Sequence, residues 1–596
     1  MKHVFRLDTR WIIILVGTAS LALLFIGLLL PVKSQTFFFP HSADWDVRLS
    51  WSQAIRTSVN EYHQIPLWNP YRCGGAPLLG EAESDIVSVY TPFLMVFGPT
   101  VGYVISFFFY LFIGMYGLYK LARYVGISKA GSVLSGVGYF CSGLFIIPFV
   151  TGITNFLSLA YFPFVVLYID QYLRSWNLRY AMYSGGCIAL MFLSGFHYIP
   201  IVFLYVLIVS VIACLSQKRL KPLLGIGIIM LMFVGFSAIK LFPTLESFYT
   251  HTFDNGSFKF SGYSVDTLTY SLFSRNQSAT AYAWPEPERR GFFHGFSYGI
   301  DENGMYVGWI FAALALWGFC KRRTSLFVHR VVFCVFFLIM FGENITPSLY
   351  SLLHQLPFFS FMRVAQRYRY IAMIPFVLFV GAGFDACVAL LDRLLQRKKY
   401  VVTVVSVVAL VVILFDMSWV NTRVFYDGFS VKPVQKVFVK SFVQVCVPNV
   451  ANILGPELPI VSSGLGMRNC TENVLITPYA ACIGEMSYKG EVYSMDSKIV
   501  VNKYLFSPNK LTLSIVSSGY GNVIINQNYD HGWIALVNGA FTRVTPLHGL
   551  LSVPISQGNS SIVLWYLPIS FIFGVVLTVT TIVIAIKVTK SIDSAR

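Results

Sequence analysis

The chain alternates between long apolar runs and short polar stretches. By window hydrophobicity, runs near 11–30, 99–119, 130–150, 154–170, 180–195, 199–216, 222–241, 304–320, 327–342, 369–391, 400–418 and 563–586 predict about twelve membrane spans. The first, Trp11–Leu30, is too long for a signal-peptide core, and no small-residue cleavage site follows it. It reads as a retained span. Between the runs lie three long segments, about 31–98, 242–303 and 419–562. In the third, "KLTLSIVSS", "GNVIINQNY" and "SSIVLWYLP" show β-type composition with Gly, Asn and Pro punctuation. The pattern therefore predicts a polytopic α-helical membrane protein with a C-terminal β-sandwich-like domain. The expected division is a membrane domain at 1–418, a β-rich domain at 419–562, and a final helix with its tail at 563–596.

Composition agrees. Hydrophobic residues make up 56% of the 596 and charged residues only 12%, about half the share of a soluble domain. The net charge of +17 would fit nucleic acid, but the basic residues fall in short loops and no basic groove is legible, so no nucleic-acid partner is expected. Lys2, Arg6 and Arg10 precede the first run. Lys120, Arg123 and Lys129, then Arg174 and Arg179, then Lys218, Arg219 and Lys221 follow in alternate loops. Lys321–Arg323 with Arg330, Arg393 with Arg397–Lys399, and Lys587 with Lys590 continue the series. The positive-inside rule puts these loops and both termini in the cytoplasm, and the three long segments outside. The ten cysteines include no CxxC and no metal-ligand spacing. Two of Cys446, Cys470 and Cys482 can pair if their segment is extracytoplasmic.

The first outward loop carries Asp44, Asp46, Glu61, Glu81, Glu83 and Asp85 among Trp45, Trp51, Trp68, Tyr71 and Tyr90. Acids beside aromatic faces suit sugar recognition. The plainer reading is a solvated loop with an interfacial aromatic belt. Asp44 and Asp46, two apart, share a side only on extended backbone. A second signal is basic residues on the outward side: Lys240 in "SAIKLFPTLESF", and Arg363, Arg367 and Arg369 in "LPFFSFMRVAQRYRYI". They either snorkel to headgroups or bind an anion such as a lipid phosphate.

The stretches "IPLWNPYRCGGAPLL", "SAIKLFPTLESF", "ENGMYVGWIFAALALWG", "LPFFSFMRVAQRYRYI" and "NYDHGWIALVNG", in this order, resemble the bacterial YfhO family, which is similar to the GT-C superfamily of membrane glycosyltransferases. The resemblance implies a polyprenyl-phosphate-linked sugar as donor and transfer on the outer face of the cytoplasmic membrane. The acceptor would be an envelope polymer, such as a teichoic acid, or a glycan. It implies a catalytic base in the first outward loop, Asp44 or Asp46, with Asp44 better spaced from "PLWNPY". It implies a second acid at Glu81 or Glu83, and a loose match for a family Gly-His at His197. Trp68, Asn69 and Tyr71 belong to the matched loop motif and are candidates for substrate binding. In such an enzyme the leaving phosphate needs positive charge, for which Lys240, Arg363, Arg367 and Arg369 are the candidates. A divalent cation, Mg or Mn, would have to bridge acids and phosphate, and no closed ligand set is visible. Two other classes compete: a transporter or flippase for a lipid-linked glycan, and a non-catalytic glycan-binding scaffold.

Overall fold

The computed structural model describes residues 43–250, 252–253, 262–277, 300–321, 323–395, 399–428, 441–446, 457–468, 470 and 474–594. The expected first span at 11–30 lies outside them. Among the described residues eight helices are long and apolar enough to cross a membrane: Pro99–Tyr124, Lys129–Thr151, Thr154–Ser175, Ile199–Gln217, Lys221–Thr250, Ala365–Leu394, Tyr400–Asn421 and Ile569–Lys590. Leu178–Leu193, Trp309–Cys320 and Thr324–Ile339 are apolar but shorter. Each remaining predicted span thus meets an apolar helix. The protein is a polytopic α-helical membrane protein with a C-terminal β-rich region.

In the Lys129–Thr151 segment every residue from Gly131 to Thr151 is buried by its neighbours. Small residues let it sink in: a methyl group on Gly131 would lie 2.6 Å from the Gly381 carbonyl oxygen. It ends at Gly152, whose φ of +93° is the left-handed turn that glycine adopts without strain. A 3-10 turn, Thr154–Tyr161, then leads into Phe162–Ser175.

Two features depart from expectation. The final helix starts at Ile569 and not near 563, because Gly558–Tyr566 is a strand. The helix before the β region, Lys399–Gly428, runs past the expected boundary at 418.

The first long loop, as far as it is described, opens with a helix, Ala43–Asn60. No Gly or Pro interrupts this stretch, and Asp44 and Asp46 in the first turn suit the positive end of the helix dipole. Beyond Pro66 the chain is irregular, with a short Trp68–Asn69 and Ala76–Pro77 pairing, until helix Tyr90–Phe97.

Among the described residues the β region is built on two larger antiparallel sheets. One runs Ala540–Thr542, Trp533–Val537, Gly558–Tyr566, Lys510–Ser517, Ile499–Ser507. The other runs Thr545–Leu547, Leu550–Ile555, Gly521–Asn528, Val492–Tyr493. Alternation in Lys510–Ser517 turns Leu511, Leu513 and Ile515 inward, where they share a core with Val523, Ile525, Leu551 and Val553 of the other sheet.

This region grips the first loop. Trp68 donates from Nε1 to Gln527 Oε1 at 2.7 Å and packs edge-on against Trp533. Asn528 Nδ2 donates to the carbonyls of Cys73 at 2.7 Å and Gly75 at 3.1 Å. Disulfides join Cys73 to Cys470 and Cys446 to Cys482. The second lies within the expected trio, and Cys73 takes the third member.

Candidate active site

Two residues along a helix turn a side chain by about 200°, so Asp44 and Asp46 part company. Asp46 turns toward the Glu457–Ser462 helix and accepts the backbone N–H groups of Glu457 at 2.6 Å and Leu458 at 3.0 Å. Burial pushes its carboxyl up, and these two bonds oppose the rise. The same helix end is held by a fully buried ion pair, Arg72 Nη2 to Glu457 Oε2 at 2.9 Å. Asp46 therefore ties the helix to the β region.

Asp44 is exposed, yet protein surrounds it on most sides. Burial raises its proton affinity most. Arg48, one turn along the helix, opposes that; Glu83 and Glu302 add to the rise, and Arg367 opposes it. The turn at Gly152 sets its backbone. A Cβ there would fall 2.6 Å from Trp45 N and 3.0 Å from the Asp44 carbonyl carbon. Trp45 Nε1 donates to Val150 O at 2.9 Å, fastening the two segments together.

Around Asp44 lie two carboxylates already committed to cations. Glu83 forms an ion pair with Arg48 Nη2, and Arg48 Nη1 also donates to the Glu83 carbonyl at 2.9 Å. His197 Nε2 lies 3.0 Å from Glu83 Oε1. Burial works against the Glu83 charge, but Arg48 and His197 outweigh it and hold the carboxyl well below the usual range. Glu302 is likewise buried and likewise lowered, by Arg367, whose Nε donates to Glu302 Oε1 at 2.9 Å. Asp85 accepts from Tyr103 OH at 2.8 Å; burial raises it, against Arg48 and that bond.

The structure sorts the sequence candidates. Asp44, Glu83, His197 and Arg367 are brought together. Glu81 is buried beside them and accepts the Glu83 N–H at 3.3 Å. Lys240 is fully buried and donates to the carbonyls of Ser84 at 2.5 Å and Leu193 at 3.5 Å, so it props the acidic loop instead of facing an anion. Arg369 is also fully buried and donates to the Glu302 carbonyl. Arg363 is half-buried. Trp68, Asn69 and Tyr71 are each no more than 2% exposed. Trp68 packs on the β region, Asn69 accepts the Tyr71 N–H at 3.1 Å, and Tyr71 packs on Phe442. Their faces are covered, so they build the scaffold and present no surface to a sugar ring.

Sequence reasoning missed Arg48, Asn155, Asp85 as a cluster member, and Glu302. Arg48 was readable as the i+4 neighbour of Asp44 had the helix been expected. Glu302 stands at the head of the quoted "ENGMYVGW". Asn155 lies among Thr151, Thr154 and Ser158 in an otherwise apolar run, with no local signal to single it out.

The acids near Asp44 do not fit a divalent ion well: Glu83 and Glu302 each already face a guanidinium. The one grouping of metal-type ligands among the described residues, Cys446, Cys482 and Glu485, includes both halves of a disulfide.

No family model matches the chain, and no curated protein matches it. Among solved structures it is similar to ArnT from Cupriavidus metallidurans, crystallised bound to undecaprenyl phosphate. The TM-score is 0.44 at 11% identity, over 77% of this chain and 86% of that one.

Proposed function

We propose that the protein is a membrane glycosyltransferase. It moves a sugar from a polyprenyl-phosphate donor to an envelope polymer or glycan on the outer face of the bacterial cytoplasmic membrane, with Asp44 as general base. The observation that carries this reading is the position of Asp44: an accessible carboxylate with raised proton affinity, set by a glycine turn among fixed charges. The ordered motifs resembling the YfhO family supply the donor class. The two disulfides support the outward placement of the first loop and β region, since such bonds persist in oxidising compartments.

In this reading Asp44 takes the proton of an acceptor hydroxyl as its oxygen attacks the anomeric carbon. The bond from that carbon to the phosphate oxygen breaks, and the electron pair leaves with the polyprenyl phosphate. The departing phosphate is already anionic and needs positive charge more than a proton. Arg363 and Arg367 have surface left to meet it. Lys240 and Arg369 act from behind, holding the backbone of the Ser84 loop and of Glu302. A retaining route needs a second free carboxylate about 5 Å from the first. Glu83 is engaged by Arg48 and His197, which favours a single displacement with inversion.

The test is transfer by purified protein in lipid nanodiscs, offered a panel of synthetic polyprenyl-phosphate sugars and extracted envelope acceptors. Consumption of one donor with an inverted product linkage is expected. A folded protein that binds no member of the panel and consumes none would overturn the reading.

A further inference from the structure

Asn155 is the second residue of the 3-10 turn Thr154–Tyr161 that follows Gly152, and it is buried. Its Nδ2 lies 3.2 Å from His197 Nδ1, and its side chain also favours the ionised form of Glu83. An ionised carboxylate only accepts, so the amide presents its NH2 group to Glu83 and His197 together. Turning the amide over would set its oxygen against the carboxylate. The amide oxygen itself is buried and has no hydrogen-bond partner among the described residues, so these two acceptors set its orientation. Gly195, at φ +150°, leaves the room it needs: a Cβ there would stand 3.1 Å from both Asn155 Cβ and Oδ1. With Nδ1 accepting from Asn155, the ring proton sits on Nε2, which faces Glu83 Oε1 at 3.0 Å.

We infer that Asn155 is a positioning residue that fixes His197 as the Nε2–H tautomer aimed at Glu83. The chain Asn155–His197–Glu83–Arg48 then holds one negative charge in a set place beside Asp44. This rests on the reading of Asp44 as the base, because its purpose is to tune that base. Two other charged groups bear on the same place: Glu302 and Arg367 act on Asp44, and Glu302 also interacts with His197.

Nitrogen-15 spectra of histidine-labelled protein in nanodiscs test it, with His197→Gln identifying the His197 signals. The wild type should show protonated Nε2 and unprotonated Nδ1. In Asn155→Leu this single-tautomer signature should be lost, and kcat should fall about a hundredfold with KM little changed. In Asn155→Asp an acceptor replaces the donor, and His197 should show both nitrogens protonated at neutral pH. A wild-type proton on Nδ1, or an unchanged signature in folded Asn155→Leu, would overturn the inference. Should Asn155→Leu not fold, Asn155→Asp decides alone: an unchanged signature there has the same force. The spectra need no transfer, so a failure of the Asp44 reading would show separately, as active Asp44→Asn protein.

Discussion

Gly152→Ala should cost the protein far more activity than stability. At φ +93° an alanine pays about 1–2 kcal/mol for the left-handed conformation. Its methyl would also stand 2.6 Å from Trp45 N and 3.0 Å from the Asp44 carbonyl carbon. Restoring ordinary contact at about 3.5 Å needs a shift of roughly 1 Å at the nearer atom. Backbone atoms cannot rotate away, so the first turn of the Ala43–Asn60 helix must move and take Asp44 with it. A misplacement of about 1 Å at a reacting group costs on the order of a hundredfold in rate. Gly126→Ala is the control: its φ is +90°, and nothing lies within 4 Å of the added carbon. Both variants should lose stability in thermal unfolding, Gly152→Ala the more because of its clash, and only Gly152→Ala should lose transfer. Equal transfer by the two would refute the claim that Gly152 sets the position of a catalytic Asp44.

Trp68→Ala should destabilise the protein by about 3–5 kcal/mol in chemical denaturation, through the lost ring and an unpaired Gln527; near-normal stability with a raised KM would instead restore Trp68 as a sugar platform. Asp46→Ala should remove two charge-assisted bonds to the Glu457–Ser462 helix, at about 1.5–3 kcal/mol, while the folded protein still transfers. His531 Nε2 lies 2.7 Å from Glu246 Oε1, a bond that raises the His531 pKa. A raised histidine contributes stability fully below its unfolded pKa of about 6.5 and loses it as pH rises through the folded value. The melting difference between wild type and His531→Gln should therefore shrink from mildly acidic to alkaline pH.

The spans were legible because each is an apolar run of near-membrane length, and the strand character of the β region because its inward positions alternate. What stayed hidden depends on contacts between distant parts of the chain. Asp44 and Asp46 looked equivalent; Asp46 is set apart by the N–H groups of Glu457 and Leu458, over four hundred positions away. Cys73 had no visible partner because Cys470 is 397 residues further on. Trp68 and Tyr71 have the composition of a sugar platform, and only the β region folding over them shows that they are core. Lys240 and Arg369 looked like misplaced surface charge. They are buried on backbone carbonyls, a use of a cation that leaves no trace in local sequence. The final helix was placed early because the second half of the strand Gly558–Tyr566, from Ile562 on, is an apolar run that leads into it.

The most direct test of the central claim is the pH dependence of transfer by wild type, with Asp44→Asn and Asp46→Asn alongside and donor binding measured on the same samples. Asp44 must be ionised to act, and its proton affinity is raised, so wild-type activity should climb with pH through a value above the ordinary carboxylate range of about 4. Asp46→Asn should keep that limb. Asp44→Asn should bind donor and transfer none. Transfer by folded Asp44→Asn at near wild-type rate would contradict the account.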